Sequence, residues 1–195
     1  MMQIKVLRTI EQASSIAEEW NDLLACCSAS HVPFLRHEYL NIWWRTLGGG
    51  EWKSGELFIV AARNAENQLT GIAPLFFPYN RDNEPALMLV GSIEISDYLD
   101  LIVRQSELAT FCEALFELLN SDQVPAWKVL DLYNIPETSP TLEALQNAAH
   151  RYGWEPGKEA HSLWFQTGAE MGLPGVLALG VFYGLCLVRL WPIAR

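Results

Sequence analysis

The chain is 195 residues long and carries 13 Lys+Arg against 23 Asp+Glu, a formal net charge of -10, so it has room for one ordinary domain and an appendage. Scattered acidic charge, with no basic stripe or arginine–aromatic interleaving, leaves no electrostatic footprint for nucleic acid, and that partner class is excluded. The charge is uneven: residues 1–160 hold 11 Lys+Arg and 22 Asp+Glu, whereas residues 161–195 hold only Glu170, Arg189 and Arg195.

"QIKVLRT" (3–9) alternates with β-branched residues and predicts an opening strand. "SSIAEEWNDLLACC" (14–27) predicts a helix capped by Ser14 or Ser15, with Ile16, Trp20, Leu23, Leu24 and Cys27 on one face. Pro33 interrupts the chain, and "LRHEYLNIWWRTLGGG" (35–50) predicts a second helix stopped by three glycines. The period then changes. "ELFIVAARN" (56–64) and "QLTGIAPLFFPYN" (68–80) flank a polar turn and predict an antiparallel hairpin.

"ALMLVGS" (86–92) and "DYLDLIV" (97–103) continue the strands. "SELATFCEALFELLNSD" (106–122) is an amphipathic helix with Leu108, Phe111, Cys112, Leu115, Leu118 and Leu119 facing one way. "AWKVLDLYNIP" (126–136) is a strand and "SPTLEALQNAAHRYG" (139–153) a helix, with Ser139 as cap, Pro140 first and Gly153 at the stop. A helix between late strands requires a crossover and a parallel pair. The predicted fold is therefore α/β: a mixed, mostly antiparallel twisted sheet flanked by helices. Cys26, Cys27, Cys112 and Cys186 form no C-x-x-C or Cys/His spacing, so they read as free thiols, with no metal expected. The N-terminus lacks the apolar core of a signal peptide, and a cytoplasmic N-terminal domain is expected.

The segments "PFLRHEYLNIWWRTL", "GIAPLFF" and "DYLDLIV" together resemble the CelD/BioF-like acyltransferases of the GNAT superfamily, relatives of the FemAB-type aminoacyl transferases. The resemblance covers residues 3–157, giving a GNAT-like domain over 1–157 and a junction over 158–170. It implies an acyl-CoA N-acyltransferase fold, with acetyl-CoA or another acyl-CoA as cosubstrate rather than a tightly held cofactor, and an amine acceptor. The resemblance is to the first of two GNAT-like halves, and in such proteins the second usually holds the acyl-CoA pocket. An incomplete active site is expected.

The superfamily's pyrophosphate loop, [Q/R]-x-x-G-x-[G/A], lies at a strand end and opens a helix, so that amides and the helix dipole meet phosphate. "RTLGGG" (Arg45 to Gly50) matches the letters in an inverted context, helix before and strand after, and reads as a glycine helix stop. The other candidates are Asp97 and Asp100 in "SDYLDLIV". On a strand they would point to opposite faces and would not work as a paired acid and base. One acid there orients an amine or acts as a base if burial raises its pKa; the alternative is turn chemistry by Ser96 and Asp97. His31, His37 and His150 read as capping or surface residues. Trp43 and Trp44 read as core, with a ligand wall as the alternative.

The C-terminal stretch is different in kind. His161-Ser162, nine residues, then Gly172-x-x-Gly175 resembles the H-[N/S/Q]-x9-G-x-x-[G/T/Y] pattern of the O-antigen ligase/polymerase family. That resemblance covers 161–195 and implies that His161 takes the place of a histidine involved in sugar transfer. Met171 to Val188 are uncharged and would extend about 27 Å as a helix, near the ~30 Å hydrocarbon core. A C-terminal apolar transmembrane helix is expected over 171–193, with membrane association through it; a buried core helix is the alternative. Arg189 and Arg195 after the span favour a cytoplasmic C-terminus. That orientation puts the acidic domain outside, away from coenzyme A. The chain thus reads as two unrelated pieces joined near Gly157 to His161.

Overall fold

The computed structural model describes residues 2–47, 55–80, 83–92 and 96–154. The chain divides into two units, Met1–Glu155 and Pro156–Arg195; the fold below is that of the first. The expected transmembrane helix over 171–193, the junction over 158–170 and His161 lie outside the described residues. Among the described residues no helix is long and apolar enough to cross a membrane.

The unit opens with β1 (Gln3–Leu7), followed by α1 (Ile10–Ser14), α2 (Ala17–Ala25) and α3 (His37–Leu47). The predicted helix over 14–27 is corrected: helix starts four residues earlier, and α1 is separate from α2. The cap is Thr9, not Ser14 or Ser15. Thr9 accepts from the Gln12 amide while the Gln12 side chain accepts from the Thr9 amide, a capping box that closes the first turn. Trp20, Leu23 and Leu24 are buried on the predicted helical face; Ile16 is half-buried, and Cys27 is buried but lies past the end of α2.

β2 (Glu56–Arg63) and β3 (Leu69–Phe77) form the predicted antiparallel hairpin. Its turn is closed by Asn64, whose side-chain oxygen accepts the amides of Glu66 and Gln68. β1 pairs antiparallel with the other edge of β2. Both faces of β3 are covered, so it reads as an unbroken apolar run rather than an alternation. Phe76 meets the rings of Trp43 and Trp44 from α3. On the other face, Gly71 lies against the Phe111 ring of α4 (Leu108–Leu119).

β4 (Ala86–Leu89) and β5 (Ile102–Val103) pair antiparallel with the same edge of β3, one beyond the other. Leu75 pairs with Leu89 and Ile72 with Ile102. Three steps along β3 therefore match thirteen along its partner, so β4 and β5 are two pieces of one edge interrupted by a ten-residue excursion. The predicted strand over 97–103 is corrected accordingly: only its last two residues join the sheet. Leu99, Asp100 and Leu101 are all buried without strand pairing.

After α4, β6 (Val129–Asp131) pairs parallel with β4, the parallel pair that the helical crossover requires. The strand predicted over 126–136 is reduced to these three residues. α5 (Pro140–Arg151) packs on α4. Ser139 caps it by accepting the Thr141 amide, and Gly153 follows it with φ +72°. The sheet order is β1-β2-β3-β4-β6, with β5 on β3.

Candidate functional site

In an open sheet, ligands settle outside the carboxyl ends of parallel strands. Here those ends belong to β4 and β6, whose chains continue into residues 90–101 and 132–139. The crevice between them is filled by residues 96–101 of the chain itself. The Leu99 amide donates to the Asn134 carbonyl at 2.9 Å, and the Asn134 side-chain amide donates to the Ser96 carbonyl at 2.7 Å. Asn134 is held at φ +66°, a left-handed position that asparagine tolerates better than most residues. Tyr39 of α3 reaches across, its hydroxyl 2.9 Å from Ser96 Oγ. Leu99 and Leu101 are buried.

Asp97 and Asp100, the predicted carboxylates, lie on this segment and have different surroundings. Asp97 is exposed beside Tyr98. Asp100 is 3% exposed. Its Oδ1 accepts the Leu101 amide at 2.7 Å and its Oδ2 accepts the Ser139 hydroxyl at 2.5 Å. Burial pushes its carboxyl above the usual range, opposed by hydrogen bonds from Ser139, Thr141 and the Leu101 backbone and by the charge of His31. The two acids do not share an environment, and no acid–base pair is formed between them.

The strand-end, helix-opening context that a pyrophosphate loop needs occurs not at Arg45 but where β5 leads into α4. Residues 104–109, "RQSELA", carry arginine first and alanine last, with Glu107 in the place of the loop's glycine. Two amides there are already spent inside the 3-10 turn Gln105–Glu107: Glu107 donates to Arg104 at 2.8 Å and Leu108 donates to Gln105. Glu107 adds a carboxylate at the helix N-cap, where a phosphate would have to come. The residues present do not fit the pyrophosphate of an acyl-CoA. The spacing was legible in the sequence; the glutamate in place of glycine concealed it.

The other candidates fall elsewhere. Arg45 sits within α3 and binds Asn41 and Glu11, while the glycines after it lie outside the described residues. Trp43 is buried and Trp44 half-buried against Phe76, a core role. His31 and His150 are exposed. His37 is neither cap nor surface, which corrects the expectation: it is buried edge-on against Trp20 at 5.8 Å. Burial holds its imidazole below its usual range despite Glu38, and its Nε2 has no partner among the described residues. Two shallow concavities, of about 300 and 410 Å³, lie away from the crevice, beside Lys5 and Arg63 and beside Trp127 and Trp154 respectively. Among the described residues no group of three or more His, Cys, Asp or Glu is placed to hold a metal ion.

No family model matches the chain. No curated protein matches it. Among solved structures, it is similar to the aminoglycoside antibiotic 6'-N-acetyltransferase AAC(6')-Ih from Acinetobacter baumannii. The identity is 13% and the TM-score 0.46, over 84% of this chain and 97% of that one.

Proposed function

We propose that residues 2–154 are a GNAT-like unit of the CelD/BioF type that does not itself hold acyl-CoA. Its role is that of a scaffold in acyl transfer to an amine, in envelope polysaccharide biosynthesis, with the cosubstrate bound by a companion half. The element order supports the family reading: an antiparallel meander, then a helical crossover into a parallel strand. One observation carries the non-binding part: residues 96–101 occupy the crevice at the carboxyl ends of β4 and β6, tied to Asn134 and Ser139 in the segment that follows β6. Glu107 at the opening of α4 points the same way. Titrating acetyl-CoA into the full chain by calorimetry is expected to give no saturable heat up to millimolar ligand. Saturable binding with a Kd in the micromolar range would sink the proposal.

A second reading concerns the C-terminal stretch and is favoured by the eighteen uncharged residues from Met171 to Val188. In that reading residues 171–193 anchor the unit to a membrane, and His161 is a position inherited from an O-antigen ligase-like sequence without the partners that sugar transfer needs. Sedimentation with membranes after a carbonate wash is the expected behaviour. Recovery of the full chain in the detergent-free supernatant overturns it.

A further inference from the structure

We propose that residues 96–101 are a strap that opens as a unit, and that Asp100 is the latch holding it to the start of α5. The proposal needs only the crevice and its ties, and stands whether or not the acyltransferase reading does. The strap has no ladder of its own. It is held by the Leu99 amide on the Asn134 carbonyl, by the Asn134 side chain on the Ser96 carbonyl, by Tyr39 on the Ser96 hydroxyl, and by Ser139 on Asp100. The sheet behind it is continuous, with β2 and β3 paired over eight positions. Losing the strap therefore breaks the Leu99–Asn134 backbone bond and the side-chain ties and exposes Leu99 and Leu101, while the β2–β3 ladder stays whole. Segments with few ladder bonds open below the global unfolding free energy.

The latch is chemically asymmetric. A carboxylate at 3% exposure is costly even when hydrogen-bonded, because the neutral donors Ser139, Thr141 and the Leu101 amide replace only part of its hydration. The groups facing it are Cys27 and His31 from the loop after α2, Cys112 from α4, and Ser139 and Thr141 from α5. Of these groups, among the described residues, only His31 can supply positive charge. Burial raises the Asp100 pKa in the closed strap above the ordinary 3.8 it recovers when open. The closed form is then most stable with Asp100 protonated, and it weakens as pH rises from that value towards the raised one. The strap loosens with rising pH.

Hydrogen exchange of the full chain between about pH 4 and pH 7, with rates divided by their intrinsic values, tests this at the amides of Leu99 and Leu101. In the native chain their protection is expected to fall across that range while amides of β2 and β3 keep theirs. Asp100→Asn keeps an oxygen for the Leu101 amide and a polar group for Ser139. It is expected to abolish the pH response and to leave the strap at least as protected as in the native chain. Ser139→Ala is expected to loosen Leu99 and Leu101 by about tenfold, the effect of losing one such hydrogen bond. Exchange of the strap only together with β2 and β3 overturns the idea of a separate unit. A pH response that survives Asp100→Asn and vanishes in His31→Gln overturns Asp100 as the latch.

Discussion

At Gly71 the sheet and α4 come so close that a Cβ would stand 2.4 Å from the Phe111 ring. The ring is fully buried, so it has no free space to move into. Gly71→Ala is expected to cost about 1–3 kcal/mol of stability through overpacking, read as a lower urea midpoint at unchanged slope. The cysteines allow a second prediction. The Cys112 thiol is pushed up to about 12, chiefly by burial, with the negative charges of Asp100 and Glu113 adding to it. The thiolate is the reactive form, so iodoacetamide at about pH 8 should label exposed Cys26 and leave Cys112 unmodified until denaturant is added. Labelling of Cys112 in the native chain would contradict its placement in the core. That placement was legible in the helical spacing of residues 106–122. The separate environments of Asp97 and Asp100 were not, because Ser139 and Asn134 lie more than thirty residues away in the chain and no local pattern links them.

Among the elements, helix ends were legible where the cap was local and alone. The Ser139-Pro140 start and Gly153 stop of α5 are both present. At α1 the signal was also in the sequence, as Thr9-x-x-Gln12, but the later serines lay nearer the apolar run and drew the predicted start to Ser14 or Ser15. Thr9→Ala should cost about 1 kcal/mol. Ser139→Ala should cost about 1–2 kcal/mol, more than Thr9→Ala, since Ser139 also serves Asp100. Equal losses in thermal denaturation would mean that the Asp100 contact adds nothing. The strand predicted over 97–103 failed for a physical reason: Leu99 and Leu101 are buried without belonging to a ladder, and Asp100 between them is buried as well.

For the molecule as a whole, the helical crossover and its parallel pair followed from element order alone, because an antiparallel return after α4 needs no crossover helix. The crevice did not follow, since it depends on how two loops meet in space. The excess of 22 Asp+Glu over 11 Lys+Arg in residues 1–160 gives the folded unit a self-repulsion that salt screens. Its thermal midpoint should rise as sodium chloride increases from about 20 to 200 mM. A midpoint that falls would show that the surface ion pairs, such as Arg63 with Glu19, outweigh the net charge.

The surplus along the outer edge of β3 is an even number. A strand alternates sides with every residue, so an even excursion returns the chain with the same side inward, and an odd one would have turned Ile102 and Val103 inside out. Excising residues 92–101 would accordingly bring Gly91 opposite Ala73 and Ile102 opposite Ile72 without inverting either face. Such a shortened chain should keep its sheet and present an empty cleft beside Asn134, a version of this fold in which the space now filled by its own polypeptide is left open to a guest.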